Sequence, residues 1–193
     1  DKDPWLFFYE DFLNVYDPEL KKNAGVYYTP VEVTRAQVRL VDSLLTKRLS
    51  KWLGFADPDV VTLDPGVGTG TYLLSVIEHA LRRVEKDTEG KGAVPGYATE
   101  LAKNLYGFEI MVGPYAVAQL RLSRAILDHG GRLPPGGPHV YLTDTLESPF
   151  TKPQKPSLFL RPLAEQHERA LEVKDRKPVL VCLGNPPYDR HEA

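Results

Sequence analysis

The chain has 193 residues, of which 42% are apolar and 26% charged, a composition typical of a folded globular domain. Lys and Arg total 24 against 26 Asp and Glu, and the formal net charge of −2 argues against a small basic domain that holds nucleic acid by charge alone. The single cysteine, Cys182, excludes an internal disulfide framework and a multi-cysteine zinc site. No apolar run approaches the roughly 18 residues of a membrane span and residues 1–4 do not begin a signal peptide, so we expect a soluble, cytoplasmic protein without a membrane partner.

The first fifty residues have the pattern of a helical segment. Asp3-Pro4 is a favourable helix start, with a capping aspartate followed by proline at the first helical position. Apolar residues recur at helical spacing from there to residue 16. A second, longer amphipathic helix is predicted from Val31 to about Leu49. Between the two lies the segment Tyr27-Tyr28-Thr29-Pro30.

After Gly54 the chain alternates between short apolar runs and amphipathic helices. The pattern predicts strands at 60–63, 105–109, 139–142 and 178–183. It also predicts one helix that follows the first strand and its glycine turn and reaches residue 84, and two more at 114–128 and 163–173. Residues 85–96 are predicted to form an exposed loop. The proline-rich stretch up to Pro162 is predicted to have no regular secondary structure, because each proline removes a backbone donor. This alternation predicts an α/β fold with a mostly parallel sheet covered on both faces, and Cys182 in its core.

A glycine-rich turn, Asp64-Pro65-Gly66-Val67-Gly68-Thr69-Gly70, follows the first predicted strand. Glycines at alternate positions leave room for a ligand, and the N-terminus of the next helix offers free N–H groups. The carboxylate of Asp64 disfavours a phosphate here and favours an ammonium or hydroxyl group. The turn lacks the Gly-Lys-Ser/Thr of a Walker loop and departs from the nicotinamide fingerprint. The structural alternative is a tight strand-to-helix turn without a ligand.

Acidic residues follow or end the next two predicted strands, at the edge where ligands of open α/β sheets bind. Glu109 could accept hydrogen bonds from two ribose hydroxyls, and Asp144 could accept one from an adenine amino group. The alternatives are a solvated strand end for Glu109 and a turn-forming aspartate for Asp144. Glu85 and Asp87 lie nearer the ~20-residue offset of dinucleotide folds, but they fall at a helix end and its loop, which favours Glu109.

The last predicted strand leads into Gly184-Asn185-Pro186-Pro187-Tyr188. Two consecutive prolines restrict the backbone, so the Asn185 amide and the Pro186 carbonyl have set directions. Tyr188 adds an aromatic face beside these two acceptors. The combination favours a planar, amino-bearing ring that stacks on Tyr188 and donates to Asn185 and Pro186. The alternative is a strand that simply ends at prolines.

Together, the Asp-Pro-x-x-Gly-x-Gly turn and the Asn-Pro-Pro-Tyr segment resemble those of N6-adenine DNA methyltransferases that use S-adenosylmethionine. Tyr-Tyr-Thr-Pro at 27–30, upstream of both, resembles the cofactor motif that comes first in the gamma-type order. More narrowly, Gly25-Val-Tyr-Tyr-Thr-Pro, Gly107-Phe-Glu-Ile and Gly113-Pro-Tyr-Ala-Val-Ala resemble the methyltransferase region of type ISP (single-chain, helicase-containing) restriction–modification enzymes. Val67 stands where many relatives have cysteine; since that position supplies backbone to the turn, we expect the difference to matter little.

The resemblance implies a Rossmann-like methyltransferase fold and assigns roles to the matching positions. Cofactor binding would fall to Tyr28, Thr29, Pro30, Asp64, Pro65, Gly66, Gly68, Gly70, Glu109, Ile110 and Asp144. In this assignment Thr29 and Pro30 lie against the methionine end, Glu109 holds the ribose hydroxyls, and Ile110 and Asp144 contact the adenine. The catalytic set that receives the target adenine would be Asn185, Pro186, Pro187 and Tyr188. No metal site is expected, because the histidines lack ligand-like spacing.

The same resemblance implies partners and a larger organisation. The substrate would be double-stranded DNA with a flipped adenine, with nuclease and helicase-like domains upstream and a target-recognition domain downstream. We divide the chain into an N-terminal helical segment, 1–54, and the first part of a methyltransferase α/β domain, 55–193. Such sheets usually hold more strands than the four predicted here, so we expect the chain to be truncated after the fourth strand.

Two other functions stay open on the sequence. The active-site motif is shared with other amino-group methyltransferases, so a protein glutamine or an RNA base is an alternative substrate, although Tyr-Tyr-Thr-Pro weighs against it. The other alternative is a fragment that binds the cofactor without activity.

Overall fold

The computed structural model of the protein describes residues 29–87, 92–150 and 161–186, with side chains from residue 164 onward in the last range. The predicted helix near residues 3–16, Tyr28, residues 151–160 and the Pro187-Tyr188 pair lie outside these ranges. The described elements, in chain order, are α1 (Val31–Arg48), a 3-10 turn (Gly54–Ala56), β1 (Val61–Asp64), α2 (Thr71–Asp87), α3 (Val94–Asn104), β2 (Leu105–Glu109), α4 (Val112–Asp128), β3 (His139–Leu142), α5 (Arg161–Arg176) and β4 (Val179–Cys182).

The described strands form one parallel sheet in the order β3-β2-β1-β4. Leu63 of β1 lies opposite Tyr106 of β2 on one side and Cys182 of β4 on the other. Because every pairing is parallel, the carboxyl ends of all these strands meet at one edge of the sheet. The predicted α/β fold with a parallel sheet is confirmed. None of the helices in the described ranges is long and apolar enough to cross a membrane.

Helices cover both faces of the sheet. On one face, apolar side chains that recur every three or four residues along α2 pack with those of α1, α3 and α4 and with sheet residues such as Leu105 and Val140. On the other face, Ala170 and Val173 of α5 pack against the aromatic rings of β2 and β3. Each fully buried large side chain contributes about 1.5–3 kcal/mol of burial free energy. The two-sided core explains why the strands are apolar on both sides.

A buried carboxylate joins α1 to α2. Asp42 is only 5% exposed; it accepts a hydrogen bond from the backbone N–H of Phe55 at 3.4 Å and another from Nη1 of Arg83 at 2.8 Å. Nε2 of His79 lies 3.1 Å from the same carboxylate. Burial acts to raise the pKa of Asp42, but His79 and Arg83 outweigh it and hold that pKa below its ordinary value. This cluster holds α1, and with it the chain just before it, in a set position beside the sheet.

The structure corrects the predicted loop at 85–96. Helix α2 continues to Asp87, and a helix that was not predicted, α3, begins at Val94. Charged residues and glycines suggested a loop, but Pro95 in the first turn of a helix loses no hydrogen bond, and the buried Ala98 and Leu101 give α3 an apolar face. The same reason explains why α5 begins at Arg161, before Pro162, rather than after it.

The predicted core position of Cys182 is wrong. Its side chain is exposed, as is that of Leu180, and alternation along a strand places the two on the same side. β4 is an edge strand of the described sheet, so its side chains have neighbours on one flank only. An apolar run of residues predicts a strand, but it does not predict whether the strand is central or at an edge.

Candidate active site

The glycine-rich turn connects the end of β1 to the start of α2. Gly68 and Gly70 have φ angles of +53° and +87°, in the left-handed region that favours glycine. The N–H of Gly70 donates to the carbonyl of Val67 at 2.8 Å, and the N–H of Val67 donates to the carbonyl of Phe108 at 2.9 Å. The alternate glycines are therefore required by the backbone, and the turn is tied to the end of the neighbouring strand, β2. As expected, Val67 supplies backbone groups to the turn.

A buried arginine outside the predicted set of site residues also holds this turn. Arg121 of α4 is 8% exposed, and its Nη1 donates to the carbonyl of Thr69 at 2.6 Å and to the Thr69 hydroxyl at 3.1 Å. A signal for it exists in the sequence, because Arg121 lies among the buried Ala118 and Leu122 on the inner face of α4. A charged residue on an apolar helix face needs a partner, and here the partner is the backbone of the turn.

Asp64, the last residue of β1, is completely buried. Its Oδ1 accepts a hydrogen bond from the N–H of Gly66 at 3.1 Å, whereas its buried Oδ2 has no hydrogen-bond partner in the described structure. Burial, with a smaller contribution from the nearby carboxylate of Glu109, raises the pKa of Asp64 to about 7, although the hydrogen bond from Gly66 acts to lower it. The carboxyl group thus lies beneath the surface of the site and changes its charge near neutral pH.

Glu109 ends β2 and reaches across to the glycine-rich turn. Its Oε2 accepts from the N–H of Gly68 at 3.0 Å, and its Oε1 accepts from the N–H of Met111 at 2.8 Å. Burial raises the pKa of Glu109, while these backbone N–H groups act to lower it. The next side chain, Ile110, is apolar and 65% exposed. A carboxylate with spare lone pairs therefore stands beside an open apolar surface.

The loop after β3 is bound to the same turn. Asp144 is exposed, and its Oδ1 accepts from the N–H of Leu146 at 2.9 Å, so this aspartate does form a local turn. The Thr145 hydroxyl donates to the carbonyl of Pro65. Nζ of Lys174 in α5 donates to the carbonyl of Asp144 at 2.6 Å. These contacts bring Asp144 to the edge where the other predicted site residues lie.

The segment after β4 lies directly over the end of β1. The N–H of Leu183 donates to the carbonyl of Leu63 at 2.9 Å. Gly184 approaches Asp64 so closely that a Cβ there would lie 2.2 Å from Oδ1, and any larger residue would collide with the carboxylate. Nδ2 of Asn185 then donates to the Thr29 hydroxyl at 3.0 Å, joining two residues 156 positions apart. Pro186 is exposed at the same edge.

The predicted site residues within the described ranges therefore come together at one edge of the sheet. Hydrogen bonds link Thr29 to Asn185, Glu109 to Gly68 and the Asp144 loop to Pro65. Among the residues that the structure describes, no group of three His, Cys, Asp or Glu side chains is arranged to hold a metal ion. The edge offers acceptors, namely carboxylates, an amide and carbonyls, beside the exposed apolar surface of Ile110. Such a site suits a ligand with hydroxyl and amino donors and flat apolar rings.

Known proteins that are similar to this chain include a DNA methylase family and restriction–modification enzymes. The model of the N-6 DNA methylase family matches residues 3–192. No curated protein shows significant sequence similarity to the chain. Similar solved structures include a DrdV–DNA complex determined by electron cryomicroscopy, with 25% identity, a TM-score of 0.71 and coverage of 98% of this chain and 17% of that one.

Two further similar structures are described as type ISP restriction–modification enzymes. One is the ATP-dependent enzyme LlaBIII bound to DNA, with 23% identity, a TM-score of 0.72 and coverage of 96% of this chain and 12% of that one. The other is a nuclease-deletion mutant of LlaGI with a DNA substrate mimic, with 26% identity, a TM-score of 0.69 and coverage of 93% and 14%. The chain thus spans less than a fifth of the length of each of these proteins. The family match extends over almost every residue, and the chain belongs to the N-6 DNA methylase family.

Proposed function

We propose that this chain carries the methyl-transfer site of a DNA adenine-N6 methyltransferase in a restriction–modification system, with S-adenosylmethionine as methyl donor. The observation that carries the proposal is the position of Asn185, which donates to Thr29 and directly follows Gly184, the residue packed against Asp64 and Pro65 at the carboxyl edge of the sheet. Amide and carbonyl acceptors beside the proposed cofactor-binding residues are what transfer to an exocyclic amine requires. Family membership over residues 3–192 supports the same conclusion.

The residues present fit the proposed cofactor. Glu109 has acceptor capacity beyond the two N–H groups that it binds, which suits ribose hydroxyls. Exposed Ile110 suits the face of an adenine ring, and Asp144 suits its amino group. The orphaned, buried Oδ2 of Asp64 suits a nearby cationic group. When bound, S-adenosylmethionine supplies an electrophilic methyl group on a sulfonium; Tyr28, Pro30 and the turn at 64–70 remain its proposed contacts.

The protein's own contribution is to prepare the amine. The lone pair of an adenine N6 is delocalised into the ring, so the amine is a poor nucleophile. Acceptance of its hydrogens by the Asn185 side-chain oxygen and the Pro186 carbonyl draws them out of the ring plane and localises the lone pair for in-line attack. Because the amine cannot be reached inside a duplex, the base must be flipped, at a cost of a few kcal/mol that stacking on Tyr188 offsets.

Transfer of a tritiated methyl group from S-adenosylmethionine by the full natural polypeptide tests the proposal. The substrates are an adenine-containing DNA duplex library, RNA and a glutamine-bearing protein. We expect labelled N6-methyladenine in DNA, and at least a ~100-fold loss of rate in Asn185→Ala with cofactor affinity nearly unchanged. Asn104→Ala is the matched control, because Nδ2 of Asn104 donates to the carbonyl of Pro58, away from the site.

Three results would contradict the proposal. Methylation in the Asn185→Ala variant at the wild-type rate would remove the catalytic role of the amide. Label found in RNA or protein and not in DNA would establish one of the alternative substrates. Cofactor binding by the full polypeptide without transfer to any of these substrates would leave only the cofactor-binding alternative.

A further inference from the structure

We infer that the Thr29 hydroxyl is a positioning group for Asn185, holding its amide so that the side-chain oxygen faces the target amine. The inference rests on the proposed function. It gives Thr29 a role different from the one that family resemblance assigns, which is contact with the methionine end of the cofactor. The hydroxyl's observed partner is a protein side chain: Nδ2 of Asn185 donates to Oγ1 of Thr29 at 3.0 Å.

The chemistry of the amide makes its orientation matter. An asparagine amide is planar, with two N–H donors on one branch and an acceptor oxygen on the other. Rotation by half a turn would present the NH2 group to the target amine, so that two donors would face each other and the lone pair would not be localised. A hydroxyl can pair with either branch, but in the structure it accepts from the nitrogen branch, and the oxygen branch of the planar amide then lies on the side away from Thr29. Thr29 is a residue that binds this branch.

Both ends of the hydrogen bond are held by rigid structure. Thr29 immediately precedes Pro30, whose carbonyl accepts from the N–H groups of Val33 at 3.0 Å and Thr34 at 3.1 Å in the first turn of α1. Helix α1 is fixed to α2 by the buried Asp42 cluster. On the other side, a residue before proline is restricted to extended backbone, and this restriction applies to Asn185. The hydroxyl is therefore a fixed point on a helix end, a better support than a free loop.

The hydroxyl of Thr29 could act on the cofactor or on Asn185, and the two roles have different kinetic consequences. A hydroxyl that binds the cofactor would change the cofactor dissociation constant. A hydroxyl that orients Asn185 would change the rate of methyl transfer at saturating cofactor and leave that dissociation constant unchanged. The two quantities are measured independently, so the role can be assigned.

The experiment compares Thr29→Val, which is isosteric and lacks the hydroxyl, with Thr29→Ser, which keeps it, in the full natural polypeptide. Thr46→Val is the control, because the Thr46 hydroxyl is likewise hydrogen-bonded, donating to the backbone carbonyls of Asp42 and Ser43 in α1, but lies away from the site. Calorimetry gives the dissociation constant for S-adenosylmethionine. Single-turnover transfer to adenine-containing duplex DNA at saturating cofactor gives the rate.

We expect Thr29→Val to lower the single-turnover rate by about 10- to 100-fold with the cofactor dissociation constant within about twofold of wild type. Thr29→Ser should restore most of the rate, and Thr46→Val should match wild type in both quantities. Thermal unfolding checks that Thr29→Val is folded; if it is not, Thr29→Ala, which also lacks the hydroxyl, replaces it with the same expectation.

An unchanged rate in the valine variant overturns the inference, as does a weakened cofactor affinity with a normal rate at saturation. Loss of rate in Thr29→Ser equal to that in Thr29→Val also overturns it, because the hydroxyl would then not be the group that matters. These results leave the proposed function standing as long as wild type and Thr46→Val methylate adenine. If wild type transfers no methyl group to DNA, the proposed function fails and this role for Thr29 fails with it.

Discussion

Replacing Asp64 with asparagine keeps the shape of a completely buried side chain and removes its charge. Burial raises the pKa of Asp64 from the ordinary value of 3.8 to about 7. When the pKa of an acid is higher in the folded state than in the unfolded state, the group does not lower the free energy of unfolding at pH values below its unfolded pKa. The loss in free energy of unfolding grows as the pH rises above 3.8, and it reaches its full value above about pH 7, where the group is charged in both states.

The magnitude follows from the size of the shift. A difference between 3.8 and about 7 corresponds to a penalty of about 4 kcal/mol when the group is fully charged, at about 1.4 kcal/mol per pKa unit. Most of this develops between about pH 5 and pH 8, where the penalty changes by about 2 to 3 kcal/mol. The oxygen of asparagine can still accept from the N–H of Gly66, but its buried NH2 takes the place of the unpartnered Oδ2, at a cost of about 1–3 kcal/mol.

Chemical denaturation of wild type and Asp64→Asn at several pH values from 5 to 8 measures the difference in the free energy of unfolding. We expect this difference to move in favour of the variant by about 2 kcal/mol or more as the pH rises, so that near pH 5 the two are similar and near pH 8 the variant is more stable. Other titrating groups largely cancel in the comparison. A difference that does not vary with pH would refute the reasoning, since Asp64 would then be ionised throughout this range in both states.

Two further substitutions test the supports of the site. Arg121→Met removes the donor to Thr69 and should weaken S-adenosylmethionine binding by about tenfold, because a charge-assisted hydrogen bond that holds the turn is lost. Calorimetry measures the dissociation constant. An equal loss of affinity in the control Arg124→Met, at an exposed arginine, would contradict this prediction. Asp42→Ala removes the buried carboxylate that His79 and Arg83 share, although Arg83 keeps Asp87 and the Trp52 carbonyl as partners. It should lower the free energy of unfolding by about 2–3 kcal/mol in urea denaturation; a loss below about 1 kcal/mol would show that the cluster is not stabilising.

Local patterns in the sequence were sufficient for most of the elements. The strands Leu105–Glu109 and His139–Leu142 have the predicted bounds, because alternation of apolar runs and turn residues depends on nearby residues alone. The unpredicted helix α3 shows the limit of such patterns. Charged residues and glycines at 85–96 suggested a loop, and only packing of the apolar face of α3 against α2 favoured the helix.

The candidate site divides in the same way. Its glycine turn, its carboxylates and its Asn-Pro-Pro segment could be identified from residue type and spacing, because their chemistry and backbone limits belong to the residues themselves. The hydrogen bond from Asn185 to Thr29 could not be identified from the sequence, since it depends on where α1 is anchored relative to β4. Nor could the burial of Asp64, which depends on Gly184 arriving from the adjacent strand.

The sequence by itself therefore determined the α/β class, the parallel sheet and the residue types that end its strands, since each is written in short-range periodicity and turn chemistry. Tertiary structure alone decided the strand order β3-β2-β1-β4, the exposure of Cys182 on the edge strand and the use of Arg121 as a support for the turn. The physical reason is that burial, pKa and hydrogen-bond partners depend on which distant segments become neighbours. That choice is made by the packing of the whole chain.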